Sequence, residues 1–353
     1  MRIRKANGNA TSSSPLLFLT FRDISFFTAG IIATVCFNAA VDSSYSSPSL
    51  LTTLTNAAPP QSTPCGGSVT NLFDARTSAQ DALGFHPLHI YFGRNDLVTR
   101  HIPADGFWVP PANVHQASSH PGTRKWFSQH GQDVAVMKVL QYKRDGFFVD
   151  LAANDAVWAS NTYTLEQHFG WRGICIEANP IYWHRLAYRH CHAVGAVVGN
   201  ATQNTEVEMV LSADKVQGPY GGIVGQDFDN KRPKQKPEAR YTVPLVTILE
   251  RFQAPPVIDY LSLDVEGAEW FILHQFPFER YQFLCLTIER PSEQLQQLLQ
   301  TVGYIKVLDI ARGDTLWVHQ SLAGEAKEAV KDNPQEISQH NSPNLPMHLL
   351  SGK

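Results

Sequence analysis

Charge is scarce in this sequence. Only 17% of its 353 residues are Asp, Glu, Lys or Arg, and the formal net charge is −3. No global field therefore favours nucleic acid or an anionic membrane surface, which sets nucleic-acid partners aside. Cysteine is sparse too: five residues, an odd number, with no CxxC pair. That pattern offers no dense disulfide framework. Cys175 and Cys285 lie inside apolar runs and are expected as buried free thiols, with a disulfide among the other cysteines left open. Glycine is missing where a dinucleotide needs it. After Asp150 no glycine occurs until Gly170, so GxGxxG is absent and a nicotinamide cofactor is disfavoured.

What is present is apolar: 43% of the residues are hydrophobic, enough for one large core with chain to spare. The N-terminus (1–23) carries Arg2, Arg4, Lys5 and Arg22. It is followed by the uncharged run Ile24–Val41, "ISFFTAGIIATVCFNAAV". That run has about the minimum length of a membrane-spanning helix, and basic residues precede it. The reading is a signal-anchor with a cytosolic N-terminus, which makes a single-pass type II protein with its body in an endomembrane or Golgi lumen. A cleaved signal and an organelle transit peptide are the alternatives. Residues 42–121 read as a Ser/Thr/Pro-rich stem or linker and an N-terminal extension containing short pieces such as "LHIYF". A polar, loosely ordered tail is expected over 321–353.

Between these flanks, over 122–320, apolar strand-like runs ("GFFVDL", "GICIE", "HAVGAVVG", "DYLSLDVE", "FLCLTIE") alternate with helical stretches. Such alternation implies an α/β fold with a parallel sheet covered on both faces. "YIKVLDI" and "TLWVH" are separated only by "ARGD", too short for a crossover, so they must form an antiparallel hairpin. A doubly wound, Rossmann-like sheet closed by a C-terminal hairpin is the shape of a class I methyltransferase, by fold-level analogy.

Acids punctuate the strand ends: Asp150, Glu177 and Asp264. Ligands of doubly wound sheets bind beyond the carboxyl ends of the strands, where like charges otherwise repel. An adenosine ligand bearing a sulfonium gives those acids a use. Glu177 is suited to accept both ribose hydroxyl protons, and Asp150 to face the amino-acid portion. The isolated-acid alternative, a turn-former, accounts for Asp150 alone but not for Asp150 and Glu177 on successive strands.

"SQHGQD" (128–133), "GFFVDLAANDAVWASNTYTLEQHFGWRGICIEANP" (146–180) and "IDYLSLDVEGAEW" (258–270) resemble the FkbM family of S-adenosylmethionine-dependent methyltransferases, over roughly Trp126 to Val318. The resemblance implies S-adenosylmethionine as cofactor and methylation of a hydroxyl oxygen on a glycan or small metabolite. Carried over by motif, Gln129 and Asp133 would close over the cofactor, and Asp150, Asn154 and Asn161 would line its amino-acid end. Glu177 and Asn179 would take its ribose and adenine side. Ala152 stands where the family motif has glycine, which penalises a positive φ and adds a methyl beside the cofactor. A non-catalytic, membrane-anchored trafficking or interaction protein with a degenerate methyltransferase fold is the alternative.

For the chemistry itself, Asp264 and Glu266 are the candidate general bases, and Glu269 complements the dipole of the following helix. Two carboxylates are too few to claim a metal. His184, His190 and His192 read as cations near a helix end rather than ligands, and His130 as a variable surface position. The Gly-rich, then basic stretch 218–240 is too long for an ordinary connection. It reads as a lid admitting an acidic or glycan substrate through Lys231, Arg232, Lys234 and Lys236, or as a solvated excursion. Asn200 begins a glycosylation sequon.

Overall fold

The computed structural model describes residues 85–93, 95–103, 126–200, 202–211 and 221–331, all within the compact unit Ser68–Lys353. The apolar run Ile24–Val41, the Ser/Thr/Pro-rich stretch after it and the end of the tail lie outside the described residues. No helix among the described residues is long and apolar enough to cross a membrane.

The central strand is β3, Phe147–Leu151, parallel to β4 (Arg172–Glu177) on one side and to β10 (Val257–Leu263) on the other. Beyond β4 lies β5 (His192–Gly195), and beyond β10 lies β11 (Gln282–Ile288), again parallel. Chain order therefore runs outward in both directions from the β3–β10 boundary, a topological switch point. The hairpin of β12 (Tyr304–Asp309) and β13 (Thr315–His319) closes one edge, with β13 antiparallel to β11. The result is a large mixed sheet in an α/β molecule.

Alternation along the strands divides the core. Phe148, Cys175, Tyr260 and Cys285 join one cluster, whereas their neighbours Val149, Ile174, Leu261 and Leu286 join the other. On the first face pack α1 (Gln132–Val139), α2 (Tyr163–Phe169) and α3 (Pro180–Leu186), through Val136, Leu165 and Leu186. On the second pack α4 (Leu245–Arg251), α5 (Glu269–Leu273) and α6 (Glu293–Thr301), through Ile248, Ile272 and Leu299. α6 shows the local logic. Ser292 caps its N-terminus by accepting from the Leu295 amide, and Leu295 and Leu299, four apart, share the buried stripe. α2 stops where Gly170 turns left-handed at φ 72°, a conformation that costs other residues strain.

Four features differ from the sequence reading. Residues 85–103, placed there in the stem and extension, form strands β1 (Phe85–Tyr91) and β2 (Leu97–Pro103), with β1 parallel to β5. "HAVGAVVG" is two strands. The chain leaves the large sheet at Ala196, whose amide donates to the Glu177 carbonyl, and β6 (Val197–Gly199) enters a second sheet. That sheet also holds β7 (Glu206–Val210), β8 (Gly222–Ile223) and β9 (Glu238–Pro244). It takes Gly222–Ile223 and the end of the 218–240 stretch, from Glu238, into strands. The tail does not start loosely: α7, Ala323–Lys331, buries Ala326 and Val330, again four apart. Finally, Cys175 is not a free thiol. It is bonded to Cys191, whereas Cys285 is free and buried. The two sulfurs lie sixteen positions apart in sequence but on one face of the sheet, a proximity created only when the turn after α3 returns to β5.

Candidate active site

One cleft lies beyond the carboxyl ends of β3, β4 and β10. Its walls come from the Asp150–Asn154 turn, from Glu177–Asn179, and from Asp264–Glu266, with Met209, Gly222 and Ile223 of the second sheet facing them.

The turn after β3 is built against β4. The amides of Ala152 and Ala153 both donate to the Ile176 carbonyl at 3.0 Å, and the Asn154 amide donates to Glu177 Oε2 at 2.8 Å. Presenting three successive amides to one strand end requires left-handed backbone at Ala152 (φ 65°) and Asn154 (φ 55°). Asparagine tolerates that region; alanine does so at a cost. Ala152 itself lines the cleft.

Glu177 is only 6% exposed. Its other oxygen accepts the Asn179 amide at 2.6 Å, so both oxygens are fixed while lone pairs remain for a ligand. Burial pushes its carboxyl up to about 7, although these backbone donors pull the other way. Asn179 caps α3 by accepting from the Ile181 amide. Asp150 accepts from the Thr162 hydroxyl at 2.5 Å and lines the cleft from the floor. Asn161 donates to Ser262 Oγ at 3.0 Å. The Oδ1 atoms of Asn154 and Asn161 are buried without a hydrogen-bond partner, and both residues line the cleft. Unsatisfied buried acceptors are costly, which is expected where a ligand supplies the donor.

Gln129 and His130 reach the cleft from the segment before α1. His130, expected at a variable surface position, is thus part of the wall. Its imidazole is pushed down in pKa by burial and by Arg312. Asp133 does not line the cleft. It is fully buried and caps its own neighbourhood, accepting from the Phe127 amide at 2.9 Å, the Ser128 amide at 3.2 Å, the Ser128 hydroxyl and the Thr164 hydroxyl at 3.0 Å. The Val134 amide adds a second donor to Oδ1 at 2.9 Å, so both carboxylate oxygens are fully engaged in holding the "SQHGQD" loop.

The far end of the cleft is acidic. Oxygens of Asp264, Glu266 and Glu289 lie within 4.8 Å of one another, and Asp314 is nearby on the same wall. Glu266 (φ 53°) and Gly267 (φ 92°) make the tight turn that brings them together. A Cβ on Gly267 would meet the Asp229 backbone nitrogen at 2.8 Å, so this glycine also admits the crossing segment. Burial first, then the Glu289 charge, pushes Asp264 well above the carboxylate range. Glu266 is pushed up to about 7 and Asp314 to about 6, in both cases by burial and then Glu289. Arg290 offsets part of this charge through contacts of 2.7 Å to Glu289, 2.8 Å to Asp229 and 3.2 Å to Glu266. Carboxylates this close share protons, so the set can keep one member as an acceptor near neutral pH while another stays protonated. Glu269 is a helix-start acid as expected: its Oε1 accepts the Val265 and Gly267 amides, each at 3.3 Å.

Residues 150–306 match the model of the methyltransferase FkbM domain. That match supports a methyltransferase. It opens at Asp150 and takes in the β3 turn, Glu177, and the whole acid set except Asp314. No curated protein and no solved structure matches the chain.

Sequence reasoning about this domain missed Glu289, Asp314 and Arg312. Glu289 had a readable signal, since it ends "FLCLTIE" as Asp264 ends "YLSLD". Asp314 and Arg312 lie in the β12–β13 connection, and nothing local in the sequence aims that loop at the cleft. His192 packs against the rings of His89 and Phe252, and none of His184, His190 and His192 lines the cleft. Of the stretch 218–240, Gly221, Gly222 and Ile223 line the cleft, whereas Lys231, Arg232, Lys234 and Lys236 are not among its lining residues.

Proposed function

We propose that the chain is an S-adenosylmethionine-dependent O-methyltransferase with a class I methyltransferase fold. The observation that carries this reading is the convergence of Asp150, Glu177 and Asp264, from three neighbouring strands, on one cleft at the switch point. The order of the sheet, with its antiparallel last hairpin, agrees with that fold class.

The residues present fit the cofactor. Glu177, with both oxygens anchored, would accept from ribose hydroxyls, and Asn179 flanks the same side. The unpartnered Oδ1 atoms of Asn154 and Asn161, with Asp150, form an acceptor set for an ammonium group, which has three donors and no acceptor. Gln129 would close the cleft from above. When bound, S-adenosylmethionine supplies an electrophilic methyl group. The chain's own part is to hold the acceptor hydroxyl in line and to take its proton at Asp264, which can accept it when the proton shared within the acid set rests on Glu266. The acidic wall favours an acceptor that carries no negative charge: a neutral hydroxyl of a glycan or small metabolite.

The disulfide between Cys175 and Cys191 supports folding in an oxidising compartment. Together with the apolar run Ile24–Val41 and the Asn200 sequon, it favours a lumenal body on a single N-terminal anchor. A non-catalytic interaction protein is the second reading, favoured by the left-handed Ala152 in the cofactor wall.

Isothermal titration with S-adenosylhomocysteine tests the first reading. Binding is expected, and Asp264→Asn should retain it while abolishing turnover. No binding up to millimolar ligand would favour the second reading.

A further inference from the structure

Behind the cleft lies an ion pair with no contact to solvent. The side chains of Arg189 and Glu166 are each 0% exposed and meet at 3.2 Å. Burying two charges is costly, and apolar replacement of such a pair is often neutral or stabilising, so packing alone gives no reason for it.

The guanidinium is held on every side. Its Nε donates to Glu166 Oε2 at 3.2 Å and its Nη1 to Ser160 Oγ at 3.2 Å. Its carbon stands 5.7 Å from the Phe148 ring and 5.6 Å from the Tyr163 ring. Glu166 in turn accepts the backbone amides of His190 at 3.0 Å and Cys191 at 3.3 Å. Cys191 is tied to Cys175, the residue paired across the sheet with Asp150. The third nitrogen leads to Asp150. Arg189 Nη2 donates to Thr162 Oγ1 at 3.0 Å, and Thr162 Oγ1 donates to Asp150 Oδ2 at 2.5 Å. Each bond in such a chain polarises the next.

We propose that Arg189 is a positioning residue: acting through Thr162, and clamped by Glu166 and the Cys175–Cys191 disulfide, it orients the Asp150 carboxylate toward the cationic amino group of the ligand. The proposal rests on the methyltransferase reading for the identity of that ligand, but the coupling of Arg189 to Asp150 does not. Burial pushes the Asp150 carboxyl up; Arg189 is the largest opposing influence, followed by the hydroxyls of Thr162 and Ser262, while Glu166 adds to the rise. Glu177 and Tyr260 are the other titratable groups that feel its charge. Removing the cation therefore raises the pH at which Asp150 ionises, and a ligand that needs the carboxylate loses affinity at higher pH than before.

The test uses the full-length chain with Arg189→Met and Glu166→Gln combined, so that no lone charge is left buried, and separately Thr162→Val, which keeps the shape and removes the relay. The Asp150 carboxyl carbon, assigned by its loss in Asp150→Asn, is titrated by carbon-13 NMR without ligand. The titration midpoint should still move to higher pH in the double variant, because Arg189 opposes the burial of Asp150 more strongly than Glu166 adds to it. S-adenosylhomocysteine affinity at neutral pH should fall about tenfold in both variants, or about 1.4 kcal/mol, and Thr162→Ser should restore it. Asp150 titration curves that coincide between wild type and the folded double variant, or wild-type affinity in Thr162→Val, would overturn the positioning role. If the double variant fails to fold, Thr162→Val alone decides the outcome. A wild-type chain that does not bind S-adenosylhomocysteine would instead overturn the methyltransferase reading, and the ligand-free titration would still decide whether Arg189 governs Asp150.

Discussion

Ala152→Gly is a substitution whose sign follows from backbone geometry. Ala152 sits at φ 65° with its amide committed to the Ile176 carbonyl, so it cannot relax to an extended conformation without breaking the turn. A left-handed alanine costs about 1–2 kcal/mol relative to glycine. Glycine returns about 0.4–1 kcal/mol of that through the greater freedom of the unfolded chain. The net expectation is stabilisation of roughly 0.5–1 kcal/mol, which for a domain of this size raises Tm by about 1–4 °C. Removing the methyl also opens the cleft wall beside Asn154, so S-adenosylhomocysteine should bind no more weakly, and more tightly if the methyl crowds the ligand. Thermal unfolding and titration calorimetry measure both. Ala153→Gly is the control: Ala153 is buried, lies outside the left-handed region, and should lose about 1 kcal/mol when its methyl and its backbone restraint go. Equal destabilisation by the two substitutions would refute the argument that strain is stored at Ala152.

Glu177→Ala should leave the fold intact and weaken S-adenosylhomocysteine at least tenfold, since charge-assisted hydrogen bonds of about 1.5–3 kcal/mol each would be lost; calorimetry showing unchanged affinity would remove Glu177 from the site. Without ligand, stability should fall as pH rises from about 5 to 8. Glu177, Glu266 and Glu269 are pushed up to about 7 and Asp314 to about 6, so in this window the folded state holds protons that the unfolded chain has released. A Tm that climbs steadily from pH 5 to 8 would contradict these directions. Replacing Cys175 and Cys191 by alanine should cost about 3 kcal/mol, the expectation for a loop of this length, as read from denaturant midpoints; wild-type stability under oxidising conditions would argue that the pair is not bonded.

The parts of this protein legible in its sequence are those governed by short-range periodicity. Apolar runs of strand length, each ending in an acid, gave β3, β4 and β10, because residues buried on both faces of a parallel sheet leave an uninterrupted apolar signature. The four-residue gap "ARGD" required the last hairpin by chain geometry alone. The same logic reached Asp150, Glu177 and Asp264, and the motif resemblance reached Asn154, Asn161 and Asn179. α1 was less legible, because Gln132 through Met137 are all buried and no polar face marks the helical period. β7, β8 and β9 are short or half-exposed, and their partners are far away in sequence. What decided the rest was long-range contact. Nothing near Cys175 specifies Cys191, nothing near Glu166 specifies a cation across a loop, and nothing in "ARGD" directs Asp314 toward Asp264. Asp133 shows the converse limit: its motif suggested a ligand, but only the packing of Ser128 and Thr164 around it shows that every lone pair is already taken. Local sequence set which residues could end a strand in a charge; the sheet's twist and crossovers decided which of those charges meet.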